Sequence, residues 1–202
     1  MMLSGNAVIL LATNNADKVR EMSEILSPLG FDIKTPRELG VVLEVEETGE
    51  SFEDNARLKA RAFCEKTGLP ALADDSGLCV AALDGAPGVH SARYGGVDSN
   101  EMRRSFLLTR MQTQENRAAK FVTCILCALP NGDEIVEFGE EVGEITRAPR
   151  GDSGFGYDPV FFYPPLGKTN AEMTPSEKNS VSARGAALRH FAQALGAYYE
   201  KW

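Results

Sequence analysis

Two aspartates stand side by side in Leu72-Ala73-Asp74-Asp75-Ser76-Gly77-Leu78, between the apolar runs Pro70-Ala71-Leu72-Ala73 and Leu78-Cys79-Val80-Ala81-Ala82. The flanks predict buried strand, and a carboxylate pair there is costly unless something compensates its charge. Adjacent side chains of a strand point to opposite faces, so the two acids need not share a task. One is open to backbone N–H groups of a turn at Ser76-Gly77. The other is open to a cleft, where it would hold a cation. An Asp-Ser-Gly turn without chemistry is the competing reading.

Other residues add to the first reading. Basic groups come from three separated segments: Lys18, Lys59, and Lys178 with Arg184. Carboxylates come from Glu47 and Asp75, and glycine and aromatic contacts from Gly154-Phe155-Gly156-Tyr157-Asp158-Pro159. Lysines neutralise phosphates. Paired carboxylates suit Mg²⁺, a hard ion often bound by one or two carboxylates plus substrate phosphates. Glycine lets backbone approach a flat ligand, and an aromatic ring stacks on a base. Together these residues predict a Mg²⁺–nucleotide site, and it is not of the P-loop kind, because no Gly-x-x-x-x-Gly-Lys-Ser/Thr occurs. Each segment also has a plain structural reading: an Asn-capped helix at Asn14-Asn15, a polar helix face at Asn55 and Lys59, a glycine-rich surface loop at 154–159.

The elements that must position these residues follow from periodicity. Ala7 to Ala12 is an unbroken apolar run, a strand buried on both faces. Thr13-Asn14-Asn15-Ala16-Asp17-Lys18 then opens a helix with Val19, Met22, Leu26 and Leu29 on its inner face, ended by Gly30. That junction points helix N–H groups at a loop. Phe31 to Lys34 and Val41 to Glu46 read as strands, the second leaving through Glu46-Glu47-Thr48-Gly49. Ser51 to Asp54 starts a helix in capping-box style, lined by Ala56, Ala60 and Phe63 and stopped at Gly68. Asp98 to Met111 reads as a helix capped by Asp98 and Glu101. Lys120 to Leu129 is a strand, Pro130 to Asp133 a hairpin turn, and Glu134 to Phe138 and Val142 to Arg147 the returning ribbon. Thr174-Pro175-Ser176-Glu177 starts a further helix, with another running through Leu188, Phe191, Leu195 and Tyr198.

Composition bounds the rest. With 202 residues, 43% hydrophobic and 25% charged, the chain has the profile of a globular protein of one domain or two packed lobes. A net charge of −8 argues against non-specific duplex binding. Cys124 and Cys127 lie three apart in a strand-like run and face opposite sides, as core thiols rather than metal ligands. His90 and His190 are the only histidines and have no Cys or His neighbours, which argues against a histidine metal site. The start Met1-Met2-Leu3-Ser4-Gly5-Asn6 lacks a basic leader region, and no stretch approaches the roughly 20 apolar residues of a membrane span. A cytoplasmic location without membrane or nucleic-acid partners is expected.

Seven motifs in order carry a resemblance: Ala12-Thr13-Asn14-Asn15-x-x-Lys18, Glu47-Thr48-Gly49, Asn55-Ala56-x-x-Lys59-Ala60, Ala73-Asp74-Asp75-Ser76-Gly77-Leu78, Pro87-Gly88-x-x-Ser91-Ala92-Arg93, Gly154 to Pro159, and Glu177-Lys178 to Arg184-Gly185. Across nearly the whole chain this resembles the Ham1/inosine triphosphate pyrophosphatase family, which cleaves dITP, ITP and XTP to the monophosphate and pyrophosphate. The resemblance implies an α/β fold with an elongated mixed β-sheet flanked by helices. It further implies one domain (1–202) of two lobes with a central cleft, and a homodimer. It places the phosphate turn on Thr13, Asn14, Asn15 and Lys18, with Asn14 where the family more often has Gly. It places the Mg²⁺ carboxylates on Glu47 and Asp75, the general base on Asp75 and a substrate contact on Ser76. Lys59 and Lys178 take phosphate-contacting positions. Phe155, Gly156, Tyr157 and Asp158 take the loop at the base. The family's Ser-His-Arg appears as Ser182-Ala183-Arg184, so the base-reading His is replaced by Ala183 and only Arg184 remains. The implied reaction is attack of water on the α-phosphorus. A phosphohydrolase with an aspartate nucleophile and a non-catalytic nucleotide-binding protein are the alternatives.

Overall fold

A computed structural model describes residues 7–199, so the leader reading of Met1 to Asn6 lies outside the described residues. The fold is mixed α/β, with a seven-stranded sheet in the order β2-β1-β3-β4-β5-β6-β7 flanked by helices. The strands are β1 (Ala7–Leu11), β2 (Phe31–Lys34), β3 (Ala71–Val80), β4 (Ala118–Ala128), β5 (Glu134–Ile145), β6 (Phe161–Tyr163) and β7 (Lys168–Thr169). The helices are α1 (Ala16–Leu26), α2 (Phe52–Thr67), α3 (Asn100–Arg110), α4 (Pro175–Val181) and α5 (Ala183–Tyr199). The chain forms two compact units. The first comprises Met1–Asp75, Thr123–Gly139 and Arg184–Trp202; the second comprises Ser76–Val122 and Glu140–Ala183.

In the first unit β1 pairs in parallel with both β2 (Ala7↔Phe31 to Leu10↔Lys34) and β3 (Leu10↔Ala71, Leu11↔Leu72). The period of two then sorts the apolar residues. Ile9, Leu11, Leu72, Ile125 and Cys127 pack with Met22 and Leu26 of α1 and Leu188, Phe191 and Leu195 of α5. Leu10, Ala12, Ala71, Ala73, Cys124 and Leu126 pack with Ala56, Ala60 and Phe63 of α2. Both faces of the strands are therefore covered by helices, which is why these runs are apolar without alternation. Cys124 and Cys127 lie on opposite faces, as their spacing predicts. Burial pushes both thiols up to about 12.

The helix starts are local chemistry. Asn15 caps α1, its Oδ1 accepting from Asp17 N and Lys18 N. Ser51 and Asp54 form the capping box of α2, and left-handed Gly68 ends it. Thr174 and Glu177 form the capping box of α4, with Pro175 at its first position.

The second unit has its own core of Leu78, Val80, Leu107, Met111, Ala119, Ile145, Tyr157, Val160 and Phe161. Here β6 pairs antiparallel with β5 (Ile145↔Phe161) and with β7 (Phe162↔Thr169).

Several expectations are corrected. The segment Val41 to Glu46 is outside the sheet. Val41, Leu43 and Val45 still pack inward on the α2 side, which accounts for the strand-like alternation of the sequence. Leu29 lies in the turn after α1 and is exposed rather than on an inner face. Helix α3 is capped by Ser99, not Asp98, through its acceptance of Met102 N. The returning ribbon is one continuous strand, β5. Most important for the chemistry, β3 runs straight through Ser76 and Gly77. There is no turn after the aspartates, so backbone N–H groups of a turn do not hold either one.

Candidate active site

Strand alternation decides where the two aspartates go. Asp74 lies in phase with Leu72, on the α1/α5 side, and Asp75 in phase with Ala73, on the α2 side. Asp74 is enclosed, its side chain 0% accessible. Its Oδ1 is ion-paired with Lys18 of α1. Its Oδ2 accepts from Arg184 Nε of α5 at 3.0 Å, and Arg184 Nη2 lies 3.5 Å from Oδ1. Arg184 Nη1 in turn donates to Glu21 of α1. Burial alone raises the Asp74 pKa, but Arg184 and Lys18 outweigh it and hold the carboxyl far below the usual range.

Asp75 faces a different company. Lys59 Nζ of α2 lies 3.1 Å from its Oδ1, 2.7 Å from Glu47 Oε1 and 2.8 Å from the Asp74 carbonyl oxygen. Asn55 Nδ2 donates to Asp75 Oδ2 at 3.4 Å. Burial raises the Asp75 pKa, Lys59 and Lys18 lower it, and Glu47 raises it again, leaving it above the ordinary value. Burial opposes the charge on Lys59, but Asp75 and Glu47 override it and hold that pKa up. Two carboxylates therefore converge on one ammonium.

Two residues outside the expected site fix this geometry. Asn55 is fully buried, and its Oδ1 accepts from Gly49 N at 2.8 Å while its Nδ2 reaches Asp75. It ties the Glu47-Thr48-Gly49 turn to β3. A side chain at Gly49 would lie 2.5 Å from Asp54 Cβ and 2.8 Å from Asn55 Oδ1, so only glycine lets this turn close on α2. Glu21 is the second, a buried acid behind Arg184. The Asn55-x-x-x-Lys59 spacing signals the first residue; nothing local signals Glu21.

The segment expected to bind phosphate lies at the α1 start. Asn14 and Asn15 are exposed and Thr13 is half-buried, with Thr13 Oγ1 accepting from Asn15 N at 3.2 Å. Among the described residues the only non-glycine with positive φ is Asp84, so Asn14 replaces glycine without backbone strain.

The remaining expected residues lie in the second unit. Asp158 Oδ2 accepts from Phe155 N and from Lys178 Nζ, each at 2.7 Å, and Lys178 Nζ sits 4.8 Å from the centre of the Phe155 ring. A side chain on left-handed Gly154 would collide with Asp158 Oδ2. Arg104 donates to the Gly156 carbonyl at 2.8 Å. Asp158 is thus the pin of the glycine-rich loop. Tyr157 points into the core, and its hydroxyl donates to Ser91 O at 2.9 Å. Phe155, half-buried, is the ring of this loop that is not part of that core. Ser76 is half-buried on β3, and Ala183 is buried at the first position of α5.

The donor set suits a hard divalent cation. Among the described residues no group of three or more His, Cys, Asp or Glu side chains forms a protein-only metal cage. Glu47 and Asp75, already gathered on a cation, offer the two-carboxylate site typical of Mg²⁺ that keeps waters and phosphates as its other ligands.

Comparison with known proteins places the chain. A sequence profile of the Ham1 family matches residues 9–194. A dITP/XTP pyrophosphatase of Thermus thermophilus is 49% identical over 96% of this chain and 93% of its own. One of Lactiplantibacillus plantarum is 45% identical over 96% of each chain. The structure of a HAM1 protein from Coxiella burnetii superposes with a TM-score of 0.86 at 41% identity, covering 95% of this chain and 99% of that one. The Staphylococcus aureus Ham1 protein gives a TM-score of 0.85 at 36% identity, covering 95% of this chain and 99% of its own. With sequence and fold in agreement, the chain belongs to the Ham1 family.

Proposed function

We propose that this chain is a nucleoside triphosphate pyrophosphohydrolase, a hydrolase of acid anhydrides, converting non-canonical purine nucleotides such as dITP, ITP and XTP to the monophosphate and pyrophosphate. The observation that carries the reading is the convergence of Glu47 and Asp75 on Lys59, in a chain whose relatives bear the name dITP/XTP pyrophosphatase. The phosphates are assigned to the turn Thr13-Asn14-Asn15, where N–H groups of the α1 start favour an anion, and to Lys18 and Lys59, whose charge offsets that developing on the leaving group. Asp75 orients the attacking water and takes its proton. Its raised pKa makes it a better base than an exposed aspartate. The new bond forms between water oxygen and the α-phosphorus; the bond from the α-phosphorus to the oxygen bridging it to the β-phosphorus breaks, and that oxygen leaves with its electron pair as part of pyrophosphate. Mg²⁺ held by Glu47 and Asp75 would neutralise phosphate oxygens and acidify a bound water.

In the second unit, stacking on the purine is assigned to Phe155 and a phosphate contact to Lys178. Gly156, Tyr157 and Asp158 shape their loop, and Ser76 contributes a hydroxyl. Four free cysteines fit the cytoplasm, and no helix among the described residues is long and apolar enough to cross a membrane. A homodimer is the assembly the family resemblance suggests. The test is pyrophosphate release from dITP by the purified chain. Turnover with Mg²⁺ that stops in excess EDTA is expected. No release with Mg²⁺ would refute the activity, and undiminished release in EDTA would refute the metal role of Glu47 and Asp75.

A further inference from the structure

Ser91 and Arg104 have no part in the activity just proposed, yet both hold the loop that carries Phe155. That residue lies between Gly154 and Gly156, both left-handed, and a side chain added at Gly156 would meet nothing within 4 Å. Glycine is permissive, so these flanks do not by themselves fix where the Phe155 ring stands. Neighbours do. After the loop Tyr157 is buried, its ring in the core with Leu78, Val80 and Leu107 and its hydroxyl donating to Ser91 O at 2.9 Å. Ser91 is in turn fixed to β3, because its Oγ accepts from Leu78 N at 2.9 Å and donates to Gly88 O at 2.6 Å. At Phe155 itself the backbone N–H donates to the Asp158 carboxylate. Between these two holds stands the Gly156 carbonyl, which accepts from Arg104 Nη1 at 2.8 Å. Arg104 is half-buried on α3, and its Nε is shut from solvent with no acceptor among the described residues. Enclosing a guanidinium with a donor left unpaired is a cost to the fold, and a buried unsatisfied group of this kind calls for another reason to be there.

We infer that Arg104 is a positioning residue for purine binding: by holding the Gly156 carbonyl it fixes the backbone on which Phe155 stands, while Ser91 anchors that backbone through Tyr157. The inference rests on the proposed stacking of Phe155 on the purine. A ring already in place spares the cost of ordering the loop when a nucleotide binds. Arg104 acts through Phe155 alone, so its effect is confined to ligands that carry a base. Residues in one network couple measurably, whereas a merely structural arginine would weaken every ligand alike, whatever stood at position 155.

The test is a double-mutant cycle on Arg104→Met and Phe155→Ala. It is read as Kd for dITP in EDTA, Kd for inorganic triphosphate in the same buffer, and kcat/KM for pyrophosphate release from dITP with Mg²⁺, with a melting curve for every protein. Arg104→Met is expected to weaken dITP binding and kcat/KM roughly tenfold in the wild-type background and less than about twofold in the Phe155→Ala background, within the range of network couplings. Triphosphate binding should change less than about twofold. Equal weakening of dITP and triphosphate, equal fold-changes in the two backgrounds, or no weakening of dITP would overturn the inference. Arg104→Lys keeps a donor but loses the planar fork, and its dITP affinity should fall between those of wild type and Arg104→Met. If Arg104→Met fails to fold, Arg104→Gln, a good helix former without the charge or the reach, takes its place with the same expected and contrary results. A wild type that bound dITP no tighter than triphosphate would overturn the inference together with the purine role of Phe155. A wild type that bound dITP more tightly but released no pyrophosphate would sink the proposed activity alone, and the cycle in Kd would still decide the role of Arg104.

Discussion

The two faces of β3 carry neighbouring aspartates in opposite electrostatic states. On the α1/α5 side Asp74 meets Lys18 and Arg184, with Glu21 on the far side of Arg184, and the Asp74 carboxyl is held far below its usual range. On the α2 side Asp75 and Glu47 both meet Lys59, and the Asp75 pKa lies above the ordinary value. The first face ties α1 and α5 to β3. In the proposed function the α2 side is where a further cation binds, and with it a polyanionic substrate. Identical side chains one residue apart are thus given opposite surroundings by the strand's alternation, and the proposed function assigns the chemistry to Asp75.

This contrast is most severely tested by Lys59→Met, which leaves Glu47 and Asp75 without their common partner. Losing one preorganised charge at the reacting phosphates is expected to lower kcat for dITP by about 100-fold or more, measured in steady state with saturating Mg²⁺. A loss under threefold would show that Lys59 serves the fold alone.

The next effect is on stability. Asp74→Asn removes the acid between two cations and is expected to cost about 3–5 kcal/mol, as for a buried pair broken on one side. Asp75→Asn removes one of two crowded acids and is expected to leave stability within about 1 kcal/mol of wild type or to raise it. Urea denaturation in EDTA reads both. Equal losses would erase the distinction between the faces.

The pH dependence has opposite signs. Asp74 is lowered from 3.8, so its stabilisation is complete above that value and is lost as pH falls toward the folded pKa. Asp75 is raised from 3.8, so its ionised form costs stability at neutral pH, and the cost is relieved as pH falls through the raised value. The deficit of Asp74→Asn relative to wild type should therefore shrink only in strong acid, while any advantage of Asp75→Asn should vanish at milder pH. Unfolding curves in EDTA across the acid range check the order of the two changes.

The smallest effect concerns β4, where the same alternation places Cys124 with the Asp75 face and Cys127 with the Asp74 face. Both thiols titrate at about 12, and the thiolate is the reactive form. Iodoacetamide at about pH 8, below even a free thiol's pKa, should leave both unmodified in the native protein and label both after unfolding. Mass spectrometry of the labelled peptides reads the result.

Much of this was legible in the sequence because it is local. Capping boxes at Ser51 and Thr174, the Asn15 cap, the opposite faces of Asp74 and Asp75 and the opposed cysteines all follow from spacing. What escaped depends on distant partners. Asp-Ser-Gly has turn chemistry, yet sheet pairing carries β3 through it. Tyr157 has the composition of a ligand loop, yet Ser91 and the second core claim it. Val41 to Glu46 alternates as a strand does, because one side packs inward without a ladder. Glu21 looks like any polar residue of an amphipathic helix, and only Arg184, 163 positions later, reveals why it is buried.

The central proposal is that the Asp75 face of β3 does the chemistry, and kcat of purified Asp75→Asn for pyrophosphate release from dITP tests it most directly. The account predicts a protein with the melting behaviour of wild type and turnover reduced about 100-fold or more, the loss of roughly 2.7 kcal/mol of barrier lowering. A folded Asp75→Asn protein that kept more than about a tenth of wild-type kcat, a loss under roughly 1.4 kcal/mol, would contradict it.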